Sequence, residues 1–181
     1  MGILSSIKKA ISGGDNVKAT PVEPVQRELP ESFYIDTIEG ERAQKESFFR
    51  SSPYSPIVDK INFKGLDYYP PNLAYKYTLP LNKADTLEML TFHTSTGDER
   101  EYQRLGTVQF EVEGELAQLA IYKAEDIEEL FLPFRDATSG SETYGAGRYL
   151  EPEELSTGEI VVDFNLCYNP FCAYSRRRNR P

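Results

Sequence analysis

The sequence predicts an all-β, predominantly antiparallel fold: a barrel or sandwich of about seven or more strands with one N-terminal helix packed on it. Three observations predict it. Beyond Lys60 the chain runs in short stretches that alternate apolar and polar residues, the period of a half-buried strand. Glycine-bearing turn signals separate those stretches. Ahead of them, "IEGERAQKESFFR" (38–50) is rich in helix formers and has an apolar end at Phe48 and Phe49.

Taken in order, residues 1–14 place Ile3, Leu4, Ile7 and Ile11 at helical spacing beside Lys8 and Lys9, and Gly13-Gly14 would stop such a helix. This segment reads as a frayed or partner-docking helix. The alternative is a small amphipathic anchor, making residues 1–12 the place for membrane or partner contact. Gly2 and Ser6 also meet the loose myristoylation pattern, which matters only in a eukaryotic host. Three prolines between Asp15 and Glu31 mark an extended linker. The expected organisation is therefore an N-terminal segment and linker (1–31), one β-rich domain (32–175) and a basic tail (176–181).

"SSPYSP" ends the helix, because Pro53 and Pro56 bias the residues before them towards extended backbone. "GLDYYPPNLAY" reads as an extended segment laid across the β structure. Strands are expected near 74–80, 86–94, 101–113, 116–124, 130–138, 142–150 and 159–168. Turns are expected at 95–99, 113–115, 139–141 and 156–158, with "EDIEE" (125–129) as a helical turn.

Composition narrows the function classes. Hydrophobic residues at 39% and charged residues at 27% suit a folded, soluble protein. A formal charge of -9 excludes wrapping of nucleic acid, which needs a cationic surface. The tail "RRRNRP" is the local exception, read as a solvated end or as a contact for an acidic partner or membrane surface. No apolar run reaches the ~20 residues that span a bilayer, and no secretory signal is visible, so a cytoplasmic location is expected. Cys167 and Cys172 form neither a disulfide framework nor a zinc pattern. "CYNPFC" reads chiefly as a turn, and His93, the one histidine, supports no metal site or triad. "GAGRYL" lacks the third glycine of a phosphate loop. No cofactor and no metal are expected.

The chemistry concentrates in "FLPFRDATSGSETYGAGRYL" (131–150). With Ser139-Gly140 as a two-residue hairpin loop, Arg135 would oppose Tyr144, Ala137 would oppose Glu142, and Phe131 would oppose Arg148, all on one face. Asp136 and Thr143 would share the other with Phe134, Leu132 and Leu130. In "EIVVDFNLCY", Ile160, Val162, Phe164, Leu166 and Tyr168 alternate with Val161, Asp163, Asn165 and Cys167. If that second row looks towards the hairpin face, a polar pocket with two arginines and two carboxylates results. A purely structural network of the same residues stands beside this reading.

Four blocks, "SSPYSPI", "FKGLDYYPPNLAYKY", "LFLPFRDATSGSETYGAGRYL" and "VVDFNLCYNPFCAYS", resemble a bacterial and archaeal domain-of-unknown-function family, number 1684, over about residues 45–175. The resemblance implies a prokaryotic protein with no established reaction. It draws attention to Phe134, Arg135, Asp136, Thr138, Glu142, Thr143, Tyr144, Gly147, Arg148, Asp163, Phe164, Asn165, Tyr168, Asn169, Pro170 and Cys172. Longer relatives continue past "CAY" into a second cysteine, where this chain has "SRRRNRP", so a disulfide or metal pair with Cys172 is not expected. Many bacterial relatives also carry an additional N-terminal module.

Three functional readings follow. The first is a β-barrel-like protein binding a small polar, anionic or polyhydroxylated ligand, with Arg135 and Arg148 as anchors and Asp136, Thr138, Asn165, Tyr168 and Asn169 around them. The second is an interaction or scaffold module working through the N-terminus and basic tail, the hairpin being structural. The third is a hydrolase with Glu142 as base and Asp163 or Tyr144 as acid.

Overall fold

A computed structural model describes residues 30–93, 99–125 and 127–174. The expectations for residues 1–14, the linker as far as residue 29, the basic tail and most of the turn at 95–99 lie outside the described residues; at the linker's expected end, Glu31 is already helical.

Helix α1 (Glu31–Ser51) starts seven residues before the sequence expectation. Pro30 sets its entry, Glu31 and Arg50 lie at the ends where the helix dipole favours their charges, and Ser52 leaves in extended conformation ahead of Pro53. Tyr34, Ile38, Arg42, Lys45 and Phe49 recur every three or four residues and share one side of the helix. Ile38 and Phe49 are its buried residues. The Phe49 ring meets Phe63, Phe171 and Tyr174, the last edge-on with centroids 5.0 Å apart.

The strands form two antiparallel sheets in a sandwich-like arrangement, not a closed barrel. The smaller sheet has the order β1-β9-β8, from β1 (Lys76–Pro80), β9 (Glu159–Asp163) and β8 (Glu153–Glu154). The larger has the order β2-β4-β5-β6-β7, with β3 also pairing β4. Its strands are β2 (Asn82–Lys83), β3 (Met89–His93), β4 (Glu99–Val112), β5 (Glu115–Ala124), β6 (Leu130–Phe134) and β7 (Arg148–Leu150). The core lies where the sheets meet. Val108, Ile121, Leu130, Leu132, Phe134 and Leu150 come from the larger sheet, Ile160 and Val162 from the smaller. Tyr77, Phe110, Phe134 and Phe164 join the two through ring contacts of 5.0–6.1 Å.

The β4–β5 turn is the tight reversal its sequence calls for. Glu113 and Gly114 both have positive φ, 51° and 84°, the primed geometry whose twist suits a two-residue hairpin. A bulge between Arg104 and Gly106 then exchanges the faces of β4. Val108 and Ile121 turn to the core, while Tyr102, Tyr122 and Phe131 share the opposite face. Ring contacts continue that aromatic row from Phe92 through Tyr102, Phe131 and Tyr149 to Tyr168.

Several expected elements are shorter. The strands expected at 130–138 and 142–150 meet only through Leu132↔Leu150, Pro133↔Tyr149 and Phe134↔Arg148. The strand expected at 159–168 stops at Asp163, whose side chain accepts from Asn165 N and starts a 3₁₀ turn instead. Residues 64–72 do run without regular structure, but they lie along α1 rather than across a barrel. Glu46 accepts from Leu66 N at 2.9 Å and Arg42 donates to Tyr69 O at 2.8 Å. No helix forms at 125–129 among the described residues.

Gly106 is where β2 closes on β4, and a Cβ there would lie 2.2 Å from the Asn82 carbonyl oxygen. Gly106→Ala is expected to cost about 1–3 kcal/mol in urea unfolding, as overpacking does, by forcing β2 off the sheet. Unchanged stability would show that β2 gives way freely.

Candidate functional site

The segment between β6 and β7 is not a hairpin closing at Ser139-Gly140. Phe134, not Phe131, faces Arg148, and residues 135–147 fold into a compact loop. Local side-chain bonds displace the ladder. Asp136 Oδ1 accepts from Thr138 N at 3.0 Å and from Thr138 Oγ1 at 2.6 Å, and the Thr138 carbonyl accepts from the amides of Ser141, Glu142 and Thr143. Gly147 closes the loop at φ 107°, where a Cβ would stand 2.5 Å from the Phe134 carbonyl oxygen.

This loop brings four of the predicted residues together around Tyr69. Arg148 Nη2 donates to Asp136 Oδ2 at 2.5 Å, and its Nη1 lies 3.2 Å from Cys167 Sγ. The guanidinium packs over the Phe134 ring. Tyr69 donates to Glu142 Oε2 at 2.9 Å, with Thr138 and Arg148 near the same phenol. Partial burial pushes the Asp136 carboxyl up, but the Thr138 bonds and the Arg148 charge outweigh it and hold it below its ordinary value. Arg135 stands apart, exposed and without a hydrogen bond or ion pair among the described residues. Tyr144 turns to Cys172, its hydroxyl 3.7 Å from the sulfur.

The other predicted residues build a second, buried network under α1. Asp163 is 5% exposed. Tyr34 donates to both its oxygens, at 2.9 and 2.8 Å, and Asn165 N and Nδ2 donate to Oδ1. Asn165 Nδ2 also reaches Tyr34 Oη at 2.7 Å and Asn72 O at 2.9 Å, while its Oδ1 accepts from Asn72 N. Arg42 spans the seam, donating to Asn165 O at 3.2 Å as well as to Tyr69 O. Burial and the Asp163 carboxylate push the Tyr34 phenol well up, so it stays a donor. Asp163 and Asn165 thus look inward, but towards α1 and Asn72 and not towards the hairpin face. It shares no partner with Arg135 or Glu142, and the expected single pocket is replaced by two networks.

Where the networks meet, α1 contributes what sequence reasoning missed. Lys45 Nζ lies 4.4 Å from the Tyr168 ring centroid, and Tyr168 donates to Glu151 Oε1 at 2.5 Å. Burial lowers the Lys45 ammonium from its ordinary value, against the pull of Glu151, and no carboxylate pairs with it among the described residues. Cys167 sits in the field of Arg148, Lys45 and Arg42, yet burial dominates and pushes its thiol up. Both cysteines are free. Asn169 Oδ1 is buried without a hydrogen-bond partner among the described residues. The signal for Lys45 and Arg42 was available in their spacing from Tyr34, but the helix expected from Ile38 leaves Tyr34 out, and the sequence reading gives neither cation a role.

Comparison with known proteins agrees with this fold. A family model described as "Protein of unknown function (DUF1684)" matches residues 61–181. The solution NMR structure of an uncharacterised protein from Haloarcula marismortui is similar, with 34% identity and a TM-score of 0.64 over 83% of this chain and 86% of that one. No curated protein matches.

Removing the Arg148 cation tests the loop. Asp136 ionises more readily folded than unfolded, so it stabilises above the ordinary aspartate range, and that share is lost as pH falls through its folded value. Arg148→Met is expected to cost about 1–3 kcal/mol near neutral pH in urea unfolding. The gap from wild type should narrow on acidification; a gap constant with pH would contradict the pairing.

Proposed function

The chain belongs to the DUF1684 family of proteins of unknown function, and from this premise we propose that it binds a small anionic or polyhydroxylated ligand on the seam between α1 and the β6–β7 loop. One observation carries the reading: among the described residues, Lys45 holds a half-buried cation offset by the Tyr168 ring, Glu151 and Cys167, with no carboxylate in an ion pair with it. An unpaired cation in a dry setting is costly unless something occupies it part of the time, and such groups collect at functional sites.

The neighbours suit that ligand. Arg42 and Arg148 raise the potential at the same place, as their effect on Cys167 records. The Thr138 hydroxyl, the Tyr69 phenol and the Glu142 carboxylate offer donors and acceptors to hydroxyl groups. Arg148 acts through the field and through Asp136, which it already holds; Lys45 is the free anchor. Arg135, exposed beside Gly147, extends the basic character at the loop's rim. Tyr168 and its partner Glu151 fix the ring under Lys45, and Asn165 ties α1 down.

Binding is favoured over hydrolysis by where the carboxylates lie. Glu142 bonds to Tyr69, Asp163 to Tyr34 and Asn165, and Tyr144 faces Cys172, so the three do not converge on one substrate position. Shallow depressions lie away from this seam, at the β4–β5 tip and beside β2. The ligand therefore rests on an open seam.

Thermal shift with inorganic phosphate, citrate and sugar phosphates tests this reading. A binder at about 100 times its Kd adds ~2.7 kcal/mol to wild type. Lys45→Met should raise the unliganded midpoint, because the folded state holds that proton less well than the unfolded chain, and should abolish the ligand shift. The wild-type shift should fade as pH rises through a value below the ordinary lysine range. An equal ligand shift in Lys45→Met would rule the site out.

A further inference from the structure

We propose that the loop after α1, residues 52–62, docks on an anionic lipid surface. Three of its side chains, Tyr54, Val58 and Ile61, are 82%, 91% and 97% exposed, the most exposed large hydrophobics among the described residues. Isolated apolar side chains on a surface are ordinary, but three within eight residues on one short loop are a concentrated apolar tip.

The loop holds them out by its own bonding. Ser55 Oγ donates to Phe49 O at 2.5 Å and accepts from Ile57 N; Ser52 Oγ accepts from Tyr54 N; Asp59 accepts from Asn62 N and Nδ2. Lys60 Nζ donates to Ser52 O, and Arg50 Nη1 to Phe63 O. Most of the turn's polar groups are thus engaged within the loop and at the end of α1, and Tyr54, Val58 and Ile61 stay uncovered by the described residues.

Charge identifies the occupant as an anionic surface. Between residues 50 and 64 three cations, Arg50, Lys60 and Lys64, face one acid, Asp59, in a chain of formal charge -9. The Tyr174 ring packs 5.0 Å from Phe49 at the foot of this loop. An apolar tip with Tyr at its edge and basic residues around it is the chemistry of reversible attachment to an anionic bilayer. The acidic remainder of the protein would be repelled by the same surface, which orients the molecule loop-first.

Co-sedimentation of the full chain with vesicles of phosphatidylcholine alone, and of equal parts phosphatidylcholine and phosphatidylglycerol, tests the proposal. Wild type should bind the mixed vesicles and not the neutral ones. Val58→Asp with Ile61→Asp should weaken that partition at least about tenfold while circular dichroism and the unfolding midpoint stay as in wild type. Replacing Lys60 and Lys64 by Gln should weaken it about tenfold or more, and unchanged partition in that variant would also overturn the proposal. The proposal is overturned if wild type ignores both vesicles, or if the loop variant binds as wild type does. It is equally overturned if removing residues 1–14 alone abolishes binding, or if the loop variant instead disperses a concentration-dependent dimer.

Discussion

A buried carboxylate organises this molecule. Asp163 ends β9 inside the protein, where an ionised group cannot stay without partners, and its requirements select the surroundings. Tyr34 must stand over both oxygens, Asn165 must turn back beneath it, and Asn72 must close on Asn165. Those bonds bind together α1, the smaller sheet and the extended chain before β1. Because Lys45 follows Tyr34 by eleven residues, about three helical turns and ~16 Å, fixing Tyr34 over Asp163 also sets Lys45 over Tyr168. The structural network and the candidate binding seam are two ends of one helix face.

The β6–β7 loop works by the same economy of polar groups. Its backbone gives up the ladder and satisfies itself through Asp136, Thr138 and the Thr138 carbonyl, which leaves Arg148 half-inside and pointing at Cys167. Phe134 below the guanidinium belongs to the core. The core therefore supports the loop directly, and a loop supported in this way suits a rigid binding edge.

Much of the architecture was legible in the sequence, and what was not has identifiable causes. The alternation of β4 and β5 gave strands close to those formed, that of β9 gave only its first half, where Ile160 and Val162 face the core, and Glu113-Gly114 gave a correct hairpin because a left-handed pair fits it. The bulge near Leu105 has no comparable signature. Helix α1 was read too short because its inner side mixes Tyr34, Arg42 and Lys45 with Ile38 and Phe49, so the apolar period is interrupted by residues that are buried for their polar groups. The hairpin at Ser139-Gly140 was misread because Asp, Thr and Ser offer the backbone local partners that a pattern of faces ignores. An inward turn of Asp163 and Asn165 was only one branch of the alternation reading and was aimed at the hairpin face; their actual partner, Tyr34, lies 129 residues from Asp163 and leaves no mark on the local pattern.

Asp163 holds α1, and with it Lys45, against the sheets. Amide hydrogen exchange of Asp163→Ala measures this most directly, since it reads the opening of each element separately. Amides from Ile38 to Phe49 are expected to lose at least about tenfold in protection while those of β4 and β5 keep theirs. Unchanged protection in α1, or a uniform loss across helix and sheets, would contradict it.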